Sequence, residues 1–443
     1  MHLYRGNIAI LGTGFVGTAN AIGFAELGYH VVGFDTDANR IASLQAGVPP
    51  YREDGLGELL ARHLQNGRLS FVTDLRSAIV DAAFIVIAVG TPSNADGSAD
   101  LDALSGAIAT LCDELAGSSK TLVLRSTVPP GTADRIAAEL PRGLELLYCP
   151  EFLREGSAVY DFLNPDRTIV GSESSRAAAA YAALVRKLPG AVIHTSRRDA
   201  ELIKGAANAF LALKISFANE IANLCGTLQA DARDVLRGIG CDRRIGEAYL
   251  LPGIGFGGPC FEKDVHSLAH VARSSGAPSH LLHATLRVNE AQPRKIVDVL
   301  EEELGSLRGA HIGVWGLAFK AGTDDLRSSL ALRILSDLDE RGATVIAYDP
   351  AIESAELPGR AILADSAMAA AHADALLVLT EWPEFCGIEP SALAASVRRG
   401  VVVDGRNILD GARLARCGMR YRGVGWSALP EAAVPATVLS GLP

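Results

Sequence analysis

Short apolar runs that alternate with helical stretches dominate the first part of the chain. Residues 7–12 form an apolar run that ends in glycine, a helical pattern follows to about Leu27, and a second apolar run begins at Val31. Further apolar runs lie at 84–89, 121–124 and 144–147. Strands that alternate with helices form a parallel sheet that is covered on both faces. The pattern therefore predicts a doubly wound domain over residues 1–196.

A long amphipathic helix is predicted next, between Asp199 and Leu236. Its apolar residues recur every three or four positions, at Ala206, Phe210, Leu213, Phe217, Ile221 and Leu224. This stripe is long enough for a subunit interface. It could also pack between two domains of one monomer, because periodicity alone does not separate the two interpretations. We assign residues 197–300 to a central helical domain that carries a cysteine loop and serves dimerisation.

A second strand, glycine turn and helix pattern begins at His311. A helix is predicted over 328–341 and a strand over 344–348, so residues 301–443 form a second domain of the same kind. The predicted fold class is α/β, with two doubly wound (Rossmann-like) domains joined by a long central helix and a small helical domain. The tail after Trp426 lacks charge and periodicity, and we expect it to be loosely held.

Composition excludes several classes of partner. The chain has 443 residues, 49% of them hydrophobic, and a formal net charge of −10. No apolar run reaches the ~18 residues that a membrane span needs, and the negative charge disfavours nucleic acid. The first residues lead into a strand pattern without the stages of a secretory signal. Seven cysteines show no metal-ligand spacing. We expect a cytoplasmic protein with reduced thiols and no metal site.

A dinucleotide-binding turn is predicted directly after the first strand. The segment Gly12-Thr13-Gly14-Phe15-Val16-Gly17 opens a helix, which is the context that makes this glycine pattern specific. Glycines there allow a tight turn and bring backbone amides close to a pyrophosphate at the positive end of the helix. A turn kept only for helix packing is the alternative.

The end of the second strand bears on the choice of dinucleotide. Asp35 can accept a hydrogen bond from a ribose 2′-hydroxyl and repels a 2′-phosphate, so NAD is favoured over NADP. Arg40 weakens this preference, because a nearby arginine can accommodate the phosphate. Two loops, with Thr91 and Pro92 in one and Thr127 in the other, follow later strands where ligands bind in open parallel sheets. Ordinary turns are the alternative for both loops.

A glycine-rich segment leads to Cys260. Four glycines lie within the seven residues before this cysteine, and Asp264 follows it by one helical turn. A helix N-terminus and the neighbouring ammonium of Lys263 lower the pKa of a thiol, and the thiolate is the reactive form. We interpret Cys260 as a nucleophile, with an inert core cysteine as the alternative.

Two further pairs of polar residues have helical spacing. Lys204 and Asn208 lie four residues apart, and so do Glu151 and Glu155, which follow a predicted strand. Ordinary solvated surface residues are the alternative for both pairs.

These segments together resemble the UDP-glucose/GDP-mannose dehydrogenase family over nearly the whole chain. The similar motifs are GTGFVG, GTP, STVPPGT, PEFLREG, DFLNPDRTIVG, the Lys204/Asn208 pair, GFGGPCFEKD and GLAFKAGTDDLRSS. The resemblance implies oxidation of the 6-hydroxymethyl group of a nucleotide sugar to a carboxylate, with two NAD per sugar. The CFEKD ending is more similar to the UDP-glucose branch than to the N-acetylhexosamine branch, and GDP-mannose stays open as a substrate.

The resemblance also implies a catalytic set. Cys260 would add to the intermediate aldehyde and later carry a thioester, while Lys204 and Asn208 would stabilise the oxyanion. Asp264, together with Lys204, would manage protons and water.

Further roles are implied for the water and the ligands. Thr127 and Glu151 would hold the water used for proton transfer and for thioester hydrolysis. Glu155, Lys263 and Arg327 match cofactor contacts, in addition to the glycine turn. The residues that would line the substrate site are Phe152, Leu153, Glu155, Lys204, Asn208, Tyr249, Gly257, Lys320 and Arg406. Arg244 resembles an arginine that a neighbouring subunit donates, which implies a homodimer.

Two other functions are compatible with parts of the sequence. A two-electron β-hydroxyacid-type dehydrogenase shares the glycine turn and the Lys/Asn pair but needs no cysteine. A non-catalytic NAD-binding or scaffold protein would need only the turn. The set formed by Cys260, Lys204 and Asp264 favours the four-electron enzyme over both.

Overall fold

The computed structural model describes residues 7–428. The first elements in chain order are β1 (Asn7–Leu11), α1 (Phe15–Glu26), β2 (Val31–Phe34), α2 (Ala38–Gln45), α3 (Leu56–Gln65), β3 (Leu69–Val72), α4 (Leu75–Ile79), β4 (Ala82–Ile87), α5 (Asp102–Glu114), β5 (Thr121–Leu124), α6 (Thr132–Glu139), β6 (Glu145–Tyr148), α7 (Ala158–Leu163), β7 (Arg167–Gly171), α8 (Ser175–Leu184) and β8 (Ala191–Thr195). Four helices follow: α9 (Arg197–Leu228), α10 (Ala232–Gly240), α11 (Phe261–Ser274) and α12 (His280–Leu304).

The last part of the described chain is again mixed. It contains β9 (His311–Trp315), α13 (Leu330–Glu340), β10 (Thr344–Tyr348), β11 (Ile362–Leu363), α14 (Ala367–Ala371), β12 (Ala375–Val378), α15 (Pro383–Cys386), α16 (Pro390–Ser396), β13 (Val401–Asp404), α17 (Gly411–Arg416), β14 (Arg420–Gly423) and β15 (Trp426–Ala428).

The first sheet has eight strands in the order β3-β2-β1-β4-β5-β6-β7-β8. Its strand pairs are parallel except β6 with β7. Side chains of β1 alternate between two cores, with Ile8 and Ile10 on one face and Ala9 and Leu11 on the other. Burial on both faces explains why this strand is a continuous apolar run. The chain reverses its winding direction at β1 and β4, so their carboxyl ends border a ligand-binding crevice.

The second sheet has seven strands in the order β11-β10-β9-β12-β13-β14-β15. Its pairs are parallel except β14 with β15. Ile312 and Val314 of β9 face one core and Trp315 faces the other. The α/β class with two doubly wound domains is therefore confirmed. The predicted loose tail falls mostly on residues outside those described, but 426–428 form a strand.

The described chain divides into two compact units. Residues 7–208 with 266–278 form the first unit, and residues 209–265 with 279–428 form the second. The helices α9 and α11 each cross a division between them. The predicted domain boundaries at 196 and 300 stay a prediction.

The single helix predicted over Asp199–Leu236 is wrong. The helix α9 ends at Leu228, where Gln229 takes a left-handed φ of 58°. A new helix, α10, then begins after Asp231, whose side chain accepts a hydrogen bond from the backbone amide of Arg233. The hydrophobic periodicity did not show this break, because the apolar residues of α9 and α10 follow the same spacing across it.

The predicted apolar stripe of α9 lies mostly at the surface. Phe210 is 61% exposed, Phe217 46% and Leu224 51%. The buried face of this helix in the second unit instead carries small and polar residues, namely Ala209, Ala212, Ser216, Ala218, Asn219, Ala222 and Cys225. The large apolar side chains therefore form an exposed row along α9.

Candidate active site

The turn after β1 has three glycines with three different surroundings. A Cβ atom at Gly12, where φ is 85°, would lie 2.7 Å from the carbonyl oxygen of Ala88, and one at Gly17 would overlap Gly12 itself. A Cβ atom at Gly14 would meet no atom within 4 Å. Phe15 and Val16 begin α1, whose first turn has no side-chain cap. The turn is tight on two sides and open at Gly14, where an anion can approach the helix amides.

Asp35 lies at the end of β2 and is 7% exposed. Its carboxylate accepts hydrogen bonds from the backbone amide of Thr13 at 2.8 Å and from Nη1 of Arg40 at 2.9 Å. Burial alone would raise its pKa, but hydrogen bonds from Thr13, Asp37 and Arg40 outweigh burial and hold the pKa of Asp35 below its usual value. Asp35 is ionised at neutral pH, and Arg40 is held by that carboxylate.

The loops after β4 and β5 meet at the crevice of the first sheet. The hydroxyl of Thr91 donates to the carbonyl oxygen of Thr127 at 2.7 Å. Ser126 similarly donates to the carbonyl oxygen of Val89. The candidates Thr91, Pro92 and Thr127 therefore lie on two loops that hydrogen bonds join beside this crevice.

A buried ion pair joins α9 to the segment after β6. Nζ of Lys204 lies 2.9 Å from Oε1 of Glu151, and both side chains are under 10% exposed. The other oxygen of Glu151 accepts from the backbone amide of Leu153 at 2.6 Å. The Lys204 ammonium also lies 5.4 Å from the centre of the Phe152 ring. Asn208, one turn further along α9, is 6% exposed. Glu151 and Phe152 thus contact the buried Lys204 ammonium, Leu153 holds Glu151, and Asn208 lies one turn away.

Cys260 directly precedes α11 in the second unit. Its carbonyl oxygen accepts from the backbone amide of Asp264 at 2.9 Å, which makes the first helical hydrogen bond. Asp264 is 3% exposed, and its carboxylate lies 2.7 Å from Nζ of Lys263. The predicted helix start and the Lys/Asp pair are as expected. The ring of Phe261 contacts those of Tyr249 and Phe256.

Candidate cations occupy the loops of the second unit. Arg406 follows β13 and donates to the carbonyl oxygens of Leu379 and Phe319. The Lys320 ammonium lies 5.8 Å from the centre of the Phe319 ring. Because these loops lie at the carboxyl edge of the second sheet, their charges suit an anionic ligand.

Two other arginines are held by nearby acids in the second unit. Arg327 is paired with Asp325, and Arg244 with Asp242. Arg244 is also largely exposed.

Family comparisons agree with this arrangement. The UDP-glucose/GDP-mannose dehydrogenase family matches with its NAD binding domain over residues 6–188, its central domain over 198–291 and its UDP binding domain over 313–411. The chain belongs to this family. As a member of the UDP-glucose/GDP-mannose dehydrogenases, it is an NAD-dependent oxidoreductase.

Individual relatives of the family are similar over almost their full length. The UDP-glucose 6-dehydrogenase TuaD of Bacillus subtilis is 41% identical, covering 98% of this chain and 96% of the relative. A solved UDP-glucose dehydrogenase from Pyrobaculum islandicum is 40% identical with a TM-score of 0.88, covering 95% of this chain and 98% of its own. A UDP-D-ManNAc dehydrogenase from Pyrococcus horikoshii is 29% identical with a TM-score of 0.84, covering 95% and 99%.

The structure brings the predicted dehydrogenase residues together within each unit. Lys204 lies with Glu151 in the first unit, and Cys260 with Asp264 in the second. The predicted meeting of Cys260 with Lys204 stays a prediction. Within residues 7–428, no helix is long and apolar enough to cross a membrane, and no group of three or more His, Cys, Asp or Glu side chains could hold a metal ion.

Sequence reasoning missed two buried charges near the dehydrogenase residues. Glu201, one turn before Lys204 on α9, accepts from the backbone amides of Gly131 and Ala133 at the start of α6. Burial is the main reason that the pKa of Glu201 is raised to about 7. Arg125 is 8% exposed and donates to Asn20 and to two backbone carbonyls. Neither residue lies in a glycine-rich motif that could have revealed it.

Proposed function

We propose that the protein oxidises the C6 hydroxymethyl of UDP-glucose to the carboxylate of UDP-glucuronate with two NAD. The observation that carries the proposal is the cysteine at the start of α11 in a chain that also holds an open dinucleotide turn and a buried Lys204–Glu151 pair. The 40–41% identity to UDP-glucose dehydrogenases, against 29% to a UDP-D-ManNAc dehydrogenase, supports glucose as the sugar.

Residues of the first unit provide the dinucleotide site and its proton chemistry. The open face at Gly14 admits the pyrophosphate, and Asp35 selects the ribose 2′-hydroxyl. When bound, NAD accepts a hydride in each of the two oxidations. By the family resemblance, Thr127 and Glu151 hold the water that takes up protons. The buried Glu151 carboxylate is itself fixed by Lys204 at one oxygen and by a backbone amide at the other.

Cys260 carries the intermediate of the second oxidation. Its thiolate adds to C6 of the aldehyde, and the resulting thiohemiacetal is oxidised to a thioester. Water then hydrolyses the thioester, which releases the carboxylate and regenerates the thiol. The four electrons leave the sugar as two hydrides, one in each oxidation. Lys204 and Asn208 stabilise the oxyanion at C6, as preorganised donors in a dry site do most effectively. Asp264, held beside Lys263, positions the water for hydrolysis.

The family resemblance assigns the contacts proposed for the nucleotide sugar. Lys320 and Arg406 bind the diphosphate, while Tyr249 and Gly257 line the sugar and nucleotide. Phe152 and Leu153 line the substrate site, and Glu155 contacts both the substrate and the cofactor. Lys263 and Arg327 contact the cofactor. These roles rest on the family resemblance and, for Phe152, Leu153 and Arg406, also on their positions shortly after the strands β6 and β13.

A second copy of the chain completes the proposed enzyme. The exposed row formed by Phe210, Phe217 and Leu224 gives α9 an apolar face of the kind that dimers bury. Arg244 is largely exposed, which suits donation to a neighbouring subunit. The thioester step needs a reduced thiol, so we also place the enzyme in the cytoplasm, where thiols stay reduced.

A substrate screen tests the proposal. Purified protein with NAD should produce reduced cofactor with UDP-glucose, at two equivalents per sugar. Turnover with GDP-mannose and silence with UDP-glucose would replace the substrate. One equivalent per sugar would instead indicate a two-electron enzyme of the β-hydroxyacid type.

A cysteine substitution tests the mechanism separately. We expect Cys260→Ser to lower formation of the acid by at least about a thousandfold, because the covalent intermediate is lost. Cys241→Ser, which changes another exposed cysteine of the same unit, should leave turnover unchanged. Acid formation that survives in Cys260→Ser would refute the thioester mechanism.

A further inference from the structure

Buried carboxamide side chains form hydrogen bonds with the backbone of the loop that leads to Cys260. Oδ1 of Asn219, on α9, accepts from the backbone amide of Gly253 at 2.7 Å. Nε2 of Gln292, on α12, donates to the carbonyl oxygen of the same glycine at 3.0 Å. Both hydrogen-bonding groups of Gly253 are therefore satisfied by side chains from two different helices.

Asn289 makes a matching pair of contacts three residues further along the loop. Its Oδ1 accepts from the backbone amide of Phe256 at 2.7 Å, and its Nδ2 donates to the carbonyl oxygen of Phe256 at 2.9 Å. One side chain thus pairs with this residue as a neighbouring strand would. Asn219, Asn289 and Gln292, which we call the carboxamide clamp, are 0%, 3% and 1% exposed.

The clamp fits a loop made of glycine. Gly255 has a φ of 113°, and a Cβ atom there would lie 2.5 Å from Oδ1 of Asn289. A larger residue would therefore push the clamp away from Phe256. The glycines and the carboxamides depend on each other.

The opposite side of the loop lies against the cation-bearing loops of the second sheet. A Cβ atom at Gly253 would lie 3.0 Å from the carbonyl oxygen of Gly405 and 3.6 Å from the Arg406 side chain. One at Gly257 would lie 2.6 Å from the carbonyl oxygen of Ser328. The loop is a thin layer between the clamp and the residues proposed to bind the diphosphate.

Buried backbone groups outside helices and sheets need such partners. Residues 251–258 have no regular secondary structure, so the ladder bonds that normally satisfy amides and carbonyls are missing. Loops without these bonds are usually mobile. The clamp supplies the bonds from two long helices, which are rigid supports for a site.

We propose that Asn219, Asn289 and Gln292 are positioning residues that fix this loop for binding of the nucleotide sugar and for the chemistry at Cys260. The proposal rests on the proposed function, because it assigns the loop to that substrate. The clamp residues do not touch substrate themselves. Their effect is transmitted through the backbone of Gly253 and Phe256.

The main test is Asn289→Ala. We expect the Kd of UDP, measured by calorimetry on the full chain, to rise at least tenfold, and the KM of UDP-glucose to rise with it. The Kd of NAD should stay within twofold, since the clamp supports only the loop. A merely structural role would instead weaken both ligands together or neither.

Two variants complete the design. Thr285→Val is the matched control, because Thr285 lies one turn before Asn289 on α12, is 2% exposed, and bonds only within its helix through its hydroxyl. It should keep wild-type values. Gln292→Met removes the clamp bond to Gly253, together with the bond that Gln292 accepts from Asn223, at nearly constant volume. We expect a threefold to tenfold rise in the Kd of UDP. If Asn289→Ala does not fold, Gln292→Met still tests the clamp.

The outcomes separate the two proposals. Wild-type UDP affinity in a folded Asn289→Ala or Gln292→Met variant would overturn the clamp, and so would an equal loss of NAD affinity. UDP binding does not depend on turnover. If the wild-type protein binds UDP but does not oxidise UDP-glucose, the proposed substrate is wrong. The variants still test the clamp in that case, through the Kd of UDP.

Discussion

The two sheets of this dehydrogenase end their first two strands in the same way and then diverge. Gly12 follows β1 and Asp35 follows β2, while Gly316 follows β9 and Asp349 follows β10. Each aspartate accepts hydrogen bonds from the backbone of the neighbouring glycine turn. The topology and the local hydrogen bonds are therefore shared.

The difference is the distance from the glycine to the next helix. In the first sheet α1 starts at Phe15, directly after the turn, with no side-chain cap. In the second sheet α13 starts only at Leu330, and the intervening segment carries Lys320 and Arg327. One edge thus offers backbone amides to an anion and the other offers side-chain cations. The same topology supports two kinds of anion site, and the loop decides which.

Among the changes that test this comparison, the largest effect on ligand affinity is expected at the open glycine. Gly14→Val would project into the space that no atom occupies within 4 Å, so the fold should tolerate it. We expect the Kd of NAD to rise about 100-fold, or about 2.7 kcal/mol, because the pyrophosphate can no longer approach the amides. Calorimetry with NAD and with UDP checks this, and UDP affinity should not change. Unchanged NAD affinity would mean that the turn is not the dinucleotide site.

A closed helix N-terminus in the first unit gives a contrasting test. Glu201 caps α6, and its pKa is raised to about 7 chiefly by burial. The folded protein then holds this proton at pH values where the unfolded chain releases it. The stability that Glu201 contributes is fully present below about pH 4.5 and is lost as the pH rises through about 7.

We expect this loss to reach roughly 2–3 kcal/mol between pH 5 and 7.5 and to be absent in Glu201→Gln. Denaturant unfolding at several pH values measures the difference. Glu220→Gln, an exposed position on the same helix, is the control and should retain the wild-type pH dependence. If the free energy of unfolding of Glu201→Gln depends on pH as in the wild type, the loss does not come from Glu201.

The two aspartates sharpen the comparison further. Asp349 is 2% exposed and accepts from two turn amides and from Nε1 of Trp382. We expect Asp349→Asn to lower the free energy of unfolding by about 2 kcal/mol, because the amide donor cannot replace a carboxylate oxygen. Asp365→Asn, at an exposed position, should be neutral. A change in the choice between NAD and NADP would show that the second turn also handles the cofactor.

The smallest effect is expected at Asp35. In Asp35→Ser the carboxylate that holds Arg40 at 2.9 Å is lost, so the arginine becomes available to a 2′-phosphate. We expect the ratio of kcat/KM for NADP over NAD to rise about tenfold, or about 1.4 kcal/mol. Steady-state kinetics with both dinucleotides measure it. An unchanged ratio would assign the selection to another residue.

Sequence reasoning was most successful where chemistry and secondary structure coincide in a few consecutive residues. The glycine turn, the start of β2 at Val31 and the helix start after Cys260 were predicted correctly, because each depends on local rules. The run predicted at 84–89 is displaced by two residues from β4 (Ala82–Ile87). The strand β8 escaped notice, since it is an edge strand whose side chains are mostly exposed. The break at Gln229 was also missed, because hydrophobic spacing does not report a single left-handed residue.

Long-range hydrogen bonds could not be predicted from the chain alone. Asn219 and Gly253 are 34 residues apart, and Glu201 and Gly131 are 70 residues apart. Asparagine and glutamate in helices are usually solvated, so nothing in their spacing marks these as buried. Only the folded arrangement shows what they bind.

The closed turn at Gly316 has a consequence for the timing of the reaction. A Cβ atom at Gly316 would lie 2.4 Å from Cβ of Thr380, whereas one at Gly14 would meet no atom within 4 Å, so the turn at Gly14 is the open one of these two strand-end turns. In the proposed reaction both oxidations would use this one dinucleotide site, so the reduced dinucleotide would have to leave and be replaced while the half-oxidised sugar stays bound. The lifetime of the sugar on the enzyme must exceed the exchange time of the nucleotide beside it.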